Sequence, residues 1–334
     1  MQTIRGTASP ITCQQVHESV RSCVGNTPLV QLSRLFPQVG LEVYAKLEYM
    51  NPGGSMKDRP ARHMIEQGWK EGDIRSGTHI IESTSGNLGI ALATMAKLYG
   101  LTVTCVVDPN VAPTNLRMMQ QMGANIEMVQ EKDENGGYLL TRVAKVRQLL
   151  ERIPDSYWIN QYANMYNWRA YYEGTGGELV NTLDRLDLLV AGVSTSGSIM
   201  GTSRRLKEKF PHLKVVAVDA VGSSLFGATK GTRKLPGIGA SRVPELLRRE
   251  EIDQVIYVND WESAMGCRAL LHHEGIFAGG SSGSVIAAIQ KLVPALDQNS
   301  SIVTLLPDRG ERYLDMVYDD DWVEALEEKG AVNV

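Results

Sequence analysis

Short runs of alternating or continuous apolar residues recur along the chain at 42–47, 79–81, 103–107, 125–129, 188–193, 215–218, 255–258 and 302–306. Their length and spacing predict strands. Between them, apolar residues return every three to four positions at 88–99, 114–122, 137–151, 199–209, 261–273 and 284–292, which predicts helices. Asn51-Pro-Gly-Gly breaks the 42–47 run, and a further helix is expected to begin around Ser55, with Lys57 in its first turn. Strand and helix thus alternate, the pattern of an α/β protein whose parallel sheets are covered by helices. Residues 1–24 read as an irregular arm, and no internal repeat, low-complexity tract or long linker interrupts the rest.

One helix departs from its own pattern. Across 137–151, Leu139, Val143, Val146, Leu149 and Leu150 share a face, and Arg142 falls inside that apolar arc. An arginine so placed either meets an anion, such as a bound carboxylate or phosphate, or snorkels past the edge of the core. The pattern leaves both readings open.

The breakers between elements carry the candidate chemistry. A lysine at a helix start sits in a field that disfavours its charge, which suits an amine used neutral or as an imine. Glu82-Ser-Thr-Ser-Gly-Asn-Leu-Gly89 follows a strand and opens a helix, so its backbone N–H groups and the hydroxyls of Ser83, Thr84 and Ser85 form an anion cradle. Ser194-Thr-Ser-Gly-Ser198 repeats the arrangement and suits a phosphate monoester. It lacks the Gly-Lys-Ser/Thr of a P-loop. Gly279-Gly-Ser281-Ser-Gly-Ser opens one more helix.

Composition removes whole classes of function. The 334 residues, 43% of them hydrophobic, suffice for a large core split into two lobes, and the net charge of −4 with no basic stripe argues against nucleic acid. No run approaches the length of a membrane span, and residues 1–10 lack a secretory h-region, so a cytoplasmic enzyme is expected. Cys13, Cys23, Cys105 and Cys267 share no metal-ligand or redox spacing, His272-His273 reads as surface and packing, and no metal site is expected.

Asn51-Pro-x-x-Ser55-x-Lys57-x-Arg59, with the two serine-rich loops, resembles the fold-type II pyridoxal-phosphate (PLP) enzymes of the cysteine synthase and cystathionine β-synthase family. The likeness runs from Gly25-Asn-Thr-Pro-Leu29 to Gly310-Glu-Arg-Tyr313. It implies a tryptophan synthase β-like fold of two lobes, each with a helix-covered, mainly parallel sheet: a large lobe of residues 1–47 and 161–334, and a small mobile lobe of 48–160. It implies a homodimer with PLP in the cleft between the lobes, held by Lys57 in Schiff-base linkage. Asn87 then meets the cofactor's ring oxygen; Ser194, Thr195, Ser196, Gly197 and Ser198 hold its phosphate; Ser281 faces its ring nitrogen. A hydroxyl there leaves that nitrogen unprotonated and the electron sink weak, which favours β-replacement or elimination over transamination.

Departures from the family pattern bear on the substrate. Leu88 stands where threonine is usual, Tyr162 brings a phenol into the carboxylate region, Arg242 replaces a glycine or apolar residue, and Asp308-Arg309 replace two small residues. The closest likeness is to the branch that condenses O-phospho-L-serine with L-glutamate for siderophores of the staphyloferrin B type. In that reading Ser83, Thr84, Ser85, Arg142, Tyr162 and Arg242 contact substrate. The alternatives are a cysteine synthase using O-acetylserine or O-phosphoserine with sulfide, a dehydratase-type lyase, and, from another class, a PLP-binding scaffold that regulates a partner.

Overall fold

The structure, a computed structural model, describes residues 16–134, 136–297 and 299–331. Among the described residues ten strands form two sheets: β1 (Leu29–Gln31), β2 (Glu42–Lys46), β3 (His79–Ser83), β4 (Thr102–Val107), β5 (Asn125–Met128), β6 (Ser156–Trp158), β7 (Leu188–Gly192), β8 (Lys214–Ala220), β9 (Gln254–Val258) and β10 (Ser301–Leu305). The six-stranded sheet runs β1-β2-β10-β7-β8-β9 and the four-stranded sheet β5-β4-β3-β6. Every pairing is parallel except β1 with β2. The α/β expectation of helix-covered parallel sheets therefore holds. The chain lays down β1 and β2 in the larger sheet, builds the whole smaller sheet, and returns to finish the first.

The helices are α1 (Asp58–Glu71), α2 (Asn87–Tyr99), α3 (Pro113–Gln121), α4 (Leu139–Arg152), α5 (Met165–Tyr171), α6 (Gly177–Thr182), α7 (Gly197–Lys209), α8 (Asp260–Ala269), α9 (Gly280–Leu292) and α10 (Asp320–Ala331). Successive residues of a strand point to opposite faces, and both faces of the larger sheet are buried. Val190, Val216, Val218 and Ile302 enter the core beneath α9, while Leu189, Ala191, Val215 and Val303 enter the one beneath α7. The smaller sheet packs against α1 and α2 on one side and, through Ile81, Val106, Val146 and Leu149, against α4 on the other.

Several boundaries differ from the sequence reading. Lys57 is the N-cap of α1, not a residue of its first turn. Helices α7 and α9 begin at Gly197 and Gly280, ahead of their apolar periodicity, because Gly197-Ser198 and Gly280-Ser-Ser-Gly283 open them. The 261–273 pattern ends as α-helix at Ala269 and continues as a π turn over Leu270–Glu274. Strands β1 and β6, three residues each, are too short to show a period. Cys13 and the first fifteen residues of the arm lie outside the described residues, and Val20–Cys23 form a 3₁₀ turn. No described helix is long and apolar enough to cross a membrane.

Helices α8 and α9 approach at paired glycines. A Cβ at Gly283 would lie 1.9 Å from the Ser263 carbonyl oxygen, and one at Gly266 would lie 2.2 Å from the Gly283 carbonyl oxygen. Backbone fills both positions, so no side-chain rotation makes room. Gly283→Ala is therefore expected to destabilise the fold by about 1–3 kcal/mol, the usual cost of overpacking. Urea unfolding reads this as a lower midpoint at unchanged slope, and a midpoint equal to wild type would contradict the close approach.

Candidate active site

Four helices begin at the wall of one cleft. Lys57 caps α1, Asn87 opens α2, Ser198 stands in the first turn of α7 and Ser281 in that of α9, and all four line the cleft. None of these helix starts carries a side-chain cap bond. First-turn N–H groups have no carbonyl partner within their helix, so the starts of α2, α7 and α9 present donors and the positive end of a dipole. At α1, by contrast, the Asp58 and Arg59 N–H groups are already taken by the Ser55 and Met56 carbonyls, and Pro60 has none. The cleft lies beyond the carboxyl ends of the parallel strands, where ligands of such sheets bind. It encloses about 170 Å³. A wider hollow of about 770 Å³ between Arg21, Trp69 and Tyr99 is shallow and has no comparable convergence of helix starts.

Lys57 is fixed by the turn before it. Its backbone N–H donates to Ser55 Oγ at 3.2 Å, and the Met56 N–H donates to the Pro307 carbonyl at 2.8 Å. Two residues on, Arg59 is 5% exposed and clamped between Glu48 at 2.7 Å and Glu178 at 2.6 Å. Lys46 pairs with the same Glu178 at 2.7 Å. Burial alone would raise the Glu178 carboxyl, but Arg59 and Lys46 outweigh it and hold it down at about 2. Burial lowers the Lys57 amine from its usual 10.5 to about 8, against the opposing pull of Asp308 and Glu48. The helix start acts in the same lowering sense.

The serine-rich turn between β7 and α7 divides its labour. Ser194, Thr195 and Ser198 line the cleft. Ser196 is buried in the left-handed region at φ 64° and donates its hydroxyl to the Thr195 carbonyl at 2.7 Å, and Gly197 backs onto Asn167. These two residues shape the turn and do not line the cleft.

After β3, only Thr84 and Asn87 of the polar residues 83–87 reach the cleft with their side chains. The Ser83 hydroxyl is buried without a partner, and Ser85 accepts from Arg142 Nη1 at 3.1 Å. Arg142, 17% exposed, does meet an anion, but one of the protein's own: Asp108, at 3.1 Å. Tyr162 lines the cleft, its ring 4.5 Å beneath the Arg242 guanidinium, and Arg242 pairs with Glu245 at 2.9 Å. Burial raises the Tyr162 phenol, and Arg142 and Arg242 partly reverse this. Lys57, Thr84, Asn87, Tyr162, Ser194, Thr195, Ser198 and Ser281 are thus brought together. Ser83, Ser85, Arg142, Ser196, Gly197 and Arg242 stand one layer back.

Gln161, Glu82 and Arg312 escaped the sequence reading, and Asp308 entered it only as an unusual charge. Buried Glu82 accepts from the Ser83 N–H at 2.8 Å, Gln161 N–H at 3.2 Å and Trp158 Nε1 at 3.4 Å, tying the loop after β3 to the segment that carries Tyr162. Burial, stronger than these bonds, lifts its carboxyl to about 7. A neutral glutamine gives no sequence signal, but an acidic residue ending an apolar strand does. Among the described residues no group of three or more His, Cys, Asp or Glu could hold a metal ion.

A half-buried amine of lowered basicity beside an anion cradle fits a ligand bearing both an aldehyde and a phosphate. PLP is such a ligand: Lys57 would hold its carbonyl carbon, and the turn before α7 its phosphate.

Comparison with known proteins agrees with this chemistry. The family described as "Pyridoxal-phosphate dependent enzyme" matches residues 20–308. Similar solved structures include an O-acetylserine dependent cystathionine beta-synthase from Helicobacter pylori, at 33% identity over 90% of this chain and 98% of that one, TM-score 0.84. A hydrogen sulfide-producing enzyme from Fusobacterium nucleatum matches at 33% identity over 90% and 100%, TM-score 0.84. An O-ureido-L-serine synthase matches at 28% identity over 93% and 100%, TM-score 0.85. The chain belongs to the PLP-dependent enzymes, with PLP as its cofactor, and among them to the fold-type II enzymes of β-replacement.

Proposed function

We propose that the chain is an N-(2-amino-2-carboxyethyl)-L-glutamate synthase, which joins the β-carbon of O-phospho-L-serine to the amine of L-glutamate and releases phosphate. The product would serve siderophores of the staphyloferrin B type as a precursor of 2,3-diaminopropionate, and the enzyme would work as a homodimer. The observation that carries this reading is the pair of guanidinium groups directly behind the residues around the cleft. Arg142 reaches Ser85, and Arg242 stacks on Tyr162. Both substrates carry one more negative group than their counterparts in cysteine synthesis, and bisulfide needs neither arginine.

Bound PLP would draw electrons from the substrate's α-carbon and so acidify its proton. Lys57 takes that proton as a neutral amine and later returns it, a role its lowered basicity favours near neutral pH. Thr84 and Tyr162 orient the substrate carboxylate, with Ser83 and Ser85 supporting the loop from behind. Phosphate leaves Cβ with the C–O electron pair, and the glutamate nitrogen supplies the pair for the new C–N bond. Leu88, which lines the cleft without a hydroxyl, offers the substrate one donor fewer than the usual threonine.

One observation favours a second reading. Asp108 and Glu245 already neutralise the two arginines, which suits a cysteine synthase using O-acetylserine or O-phosphoserine with sulfide, a nucleophile that needs neither.

Three outcomes are expected. Titration with O-phospho-L-serine changes the cofactor's absorption, and L-glutamate restores it with release of phosphate. Restoration by sulfide alone would return the protein to cysteine synthesis. Arg142→Ala lowers catalytic efficiency roughly 10- to 100-fold, the loss of a hydrogen bond to a charged group. Steady-state kinetics on both substrates check this, and an unchanged efficiency for both removes Arg142 from recognition. Lys57 is neutral above its lowered value, so uptake of PLP by the apoenzyme rises with pH through about 8. Uptake still climbing toward the ordinary 10.5 would show a solvated amine.

A further inference from the structure

Asn87 lines the cleft at the first position of α2, and both ends of its amide are engaged by residues from the far end of the chain. Its Nδ2 donates to Asp308 Oδ2 at 2.8 Å, and its Oδ1 accepts from Arg312 Nη1. Asp308 is 1% exposed, and the same Oδ2 accepts the Tyr313 hydroxyl at 2.7 Å. Its backbone is pinned as well: its carbonyl accepts the Gly279 N–H at 2.9 Å, and it forms a β-bridge with Ser55. Position 279 has to be glycine for this, because a Cβ there would lie 2.2 Å from Asp308 Oδ1. Arg312 Nη2 donates to the Gly53 carbonyl at 2.8 Å, on the loop that presents Lys57.

We propose that Asp308 and Arg312 are positioning residues that lock the Asn87 amide with its nitrogen toward the cleft, so that this side chain meets the cofactor only as a donor. The argument rests on hydrogen-bond type. A guanidinium has donors and no acceptor, and Asp308 Oδ2, which already takes the Tyr313 hydroxyl, serves as an acceptor. An amide set between them has one satisfactory orientation. Flipping it would press its carbonyl against the carboxylate and its NH2 against the guanidinium. The locked amide spends one N–H on Asp308 and keeps the second for the cleft. PLP carries an acceptor oxygen on its ring beside the carbon that Lys57 binds, and a fixed donor there stabilises the anionic form of that oxygen. Arg312 also holds the lysine loop, so the donor and the amine share one anchor.

This inference rests on the cleft being the PLP site, and its test uses the cofactor alone. The PLP-loaded enzyme, without any amino-acid substrate, is read by the ratio of its two cofactor absorption bands and by PLP retained on dialysis. Arg312→Gln, which admits either amide orientation, is expected to shift the ratio in the same direction as Asn87→Ala. It should weaken PLP retention roughly three- to tenfold, the loss of one hydrogen bond. In the band ratio the double variant should match Asn87→Ala, because the ratio is set through that one amide, while retention falls further with the lost Gly53 contact. Arg312→Lys, still donor-only, should keep the wild-type ratio. An unshifted ratio in Arg312→Gln, an additive shift of the ratio in the double variant, or failure of Arg312→Lys equal to that of Arg312→Gln would each overturn the proposal. If circular dichroism shows Arg312→Gln unfolded, Asp308→Asn decides instead: a shift matching Asn87→Ala supports the lock, and unchanged bands overturn it. A wrong choice of nucleophile leaves these readings untouched, whereas a failed lock leaves the glutamate titration intact.

Discussion

The burial of Arg59 constrains everything around the cleft. Its guanidinium lies between Glu48, wholly buried, and Glu178, which also takes Lys46. Two cations face two carboxylates, and Thr27 and Thr175 donate to the remaining lone pairs of Glu48. Such a cluster is tolerable only when complete, since one member removed leaves an unpaired charge costing about 3–5 kcal/mol. The partners come from β2, the turn after it, the start of α1, the π turn at Tyr172–Gly176 and α6. The cluster therefore fixes the start of α1, and with it Lys57, relative to the larger sheet. The amine can be kept half-buried and weakly basic because the residue two places on cannot move.

The fold was legible wherever burial imposed a period. Strand β10 and the long helices α2 and α4 buried apolar residues at the expected spacing. The limits of that reading are physical as well. Helices α7 and α9 start with Gly-Ser sequences of poor helix propensity, held helical by tertiary packing, so periodicity places their starts too late. The arm's Val24, by contrast, is buried in the core of the smaller sheet, a tertiary contact that no local pattern announces.

The site was legible where chemistry coincided with an element boundary. The loop after β3 and the 194–198 turn stood out because strand–turn–helix junctions present donors, Lys57 because a helix start disfavours its charge, and Asn87 and Ser281 through the family resemblance. Arg142 shows the limit: the helical wheel left an anionic partner and a snorkelling side chain both open, and Asp108, just beyond β4, supplies the anion from the chain itself. Gln161, Asp308 and Arg312 act through distant partners, so no spacing in the sequence connects them. Tyr162 and Arg242 were each visible as unusual residues, yet their stacking across eighty positions was not.

The larger sheet is closed by its two ends. Strand β2, made early, has β10 as its parallel partner, in the register Glu42 with Ser301 to Lys46 with Leu305. The Lys57 loop leans on Pro307 and Asp308, just beyond that last strand. During synthesis, therefore, the smaller sheet can assemble as a unit while β2 waits with one edge open. The lysine is not presented until nearly the whole chain has been released. Cofactor capture is thus a late event in the life of the polypeptide, and a chain cut short before residue 301 would carry the PLP-binding motif without the means to aim it.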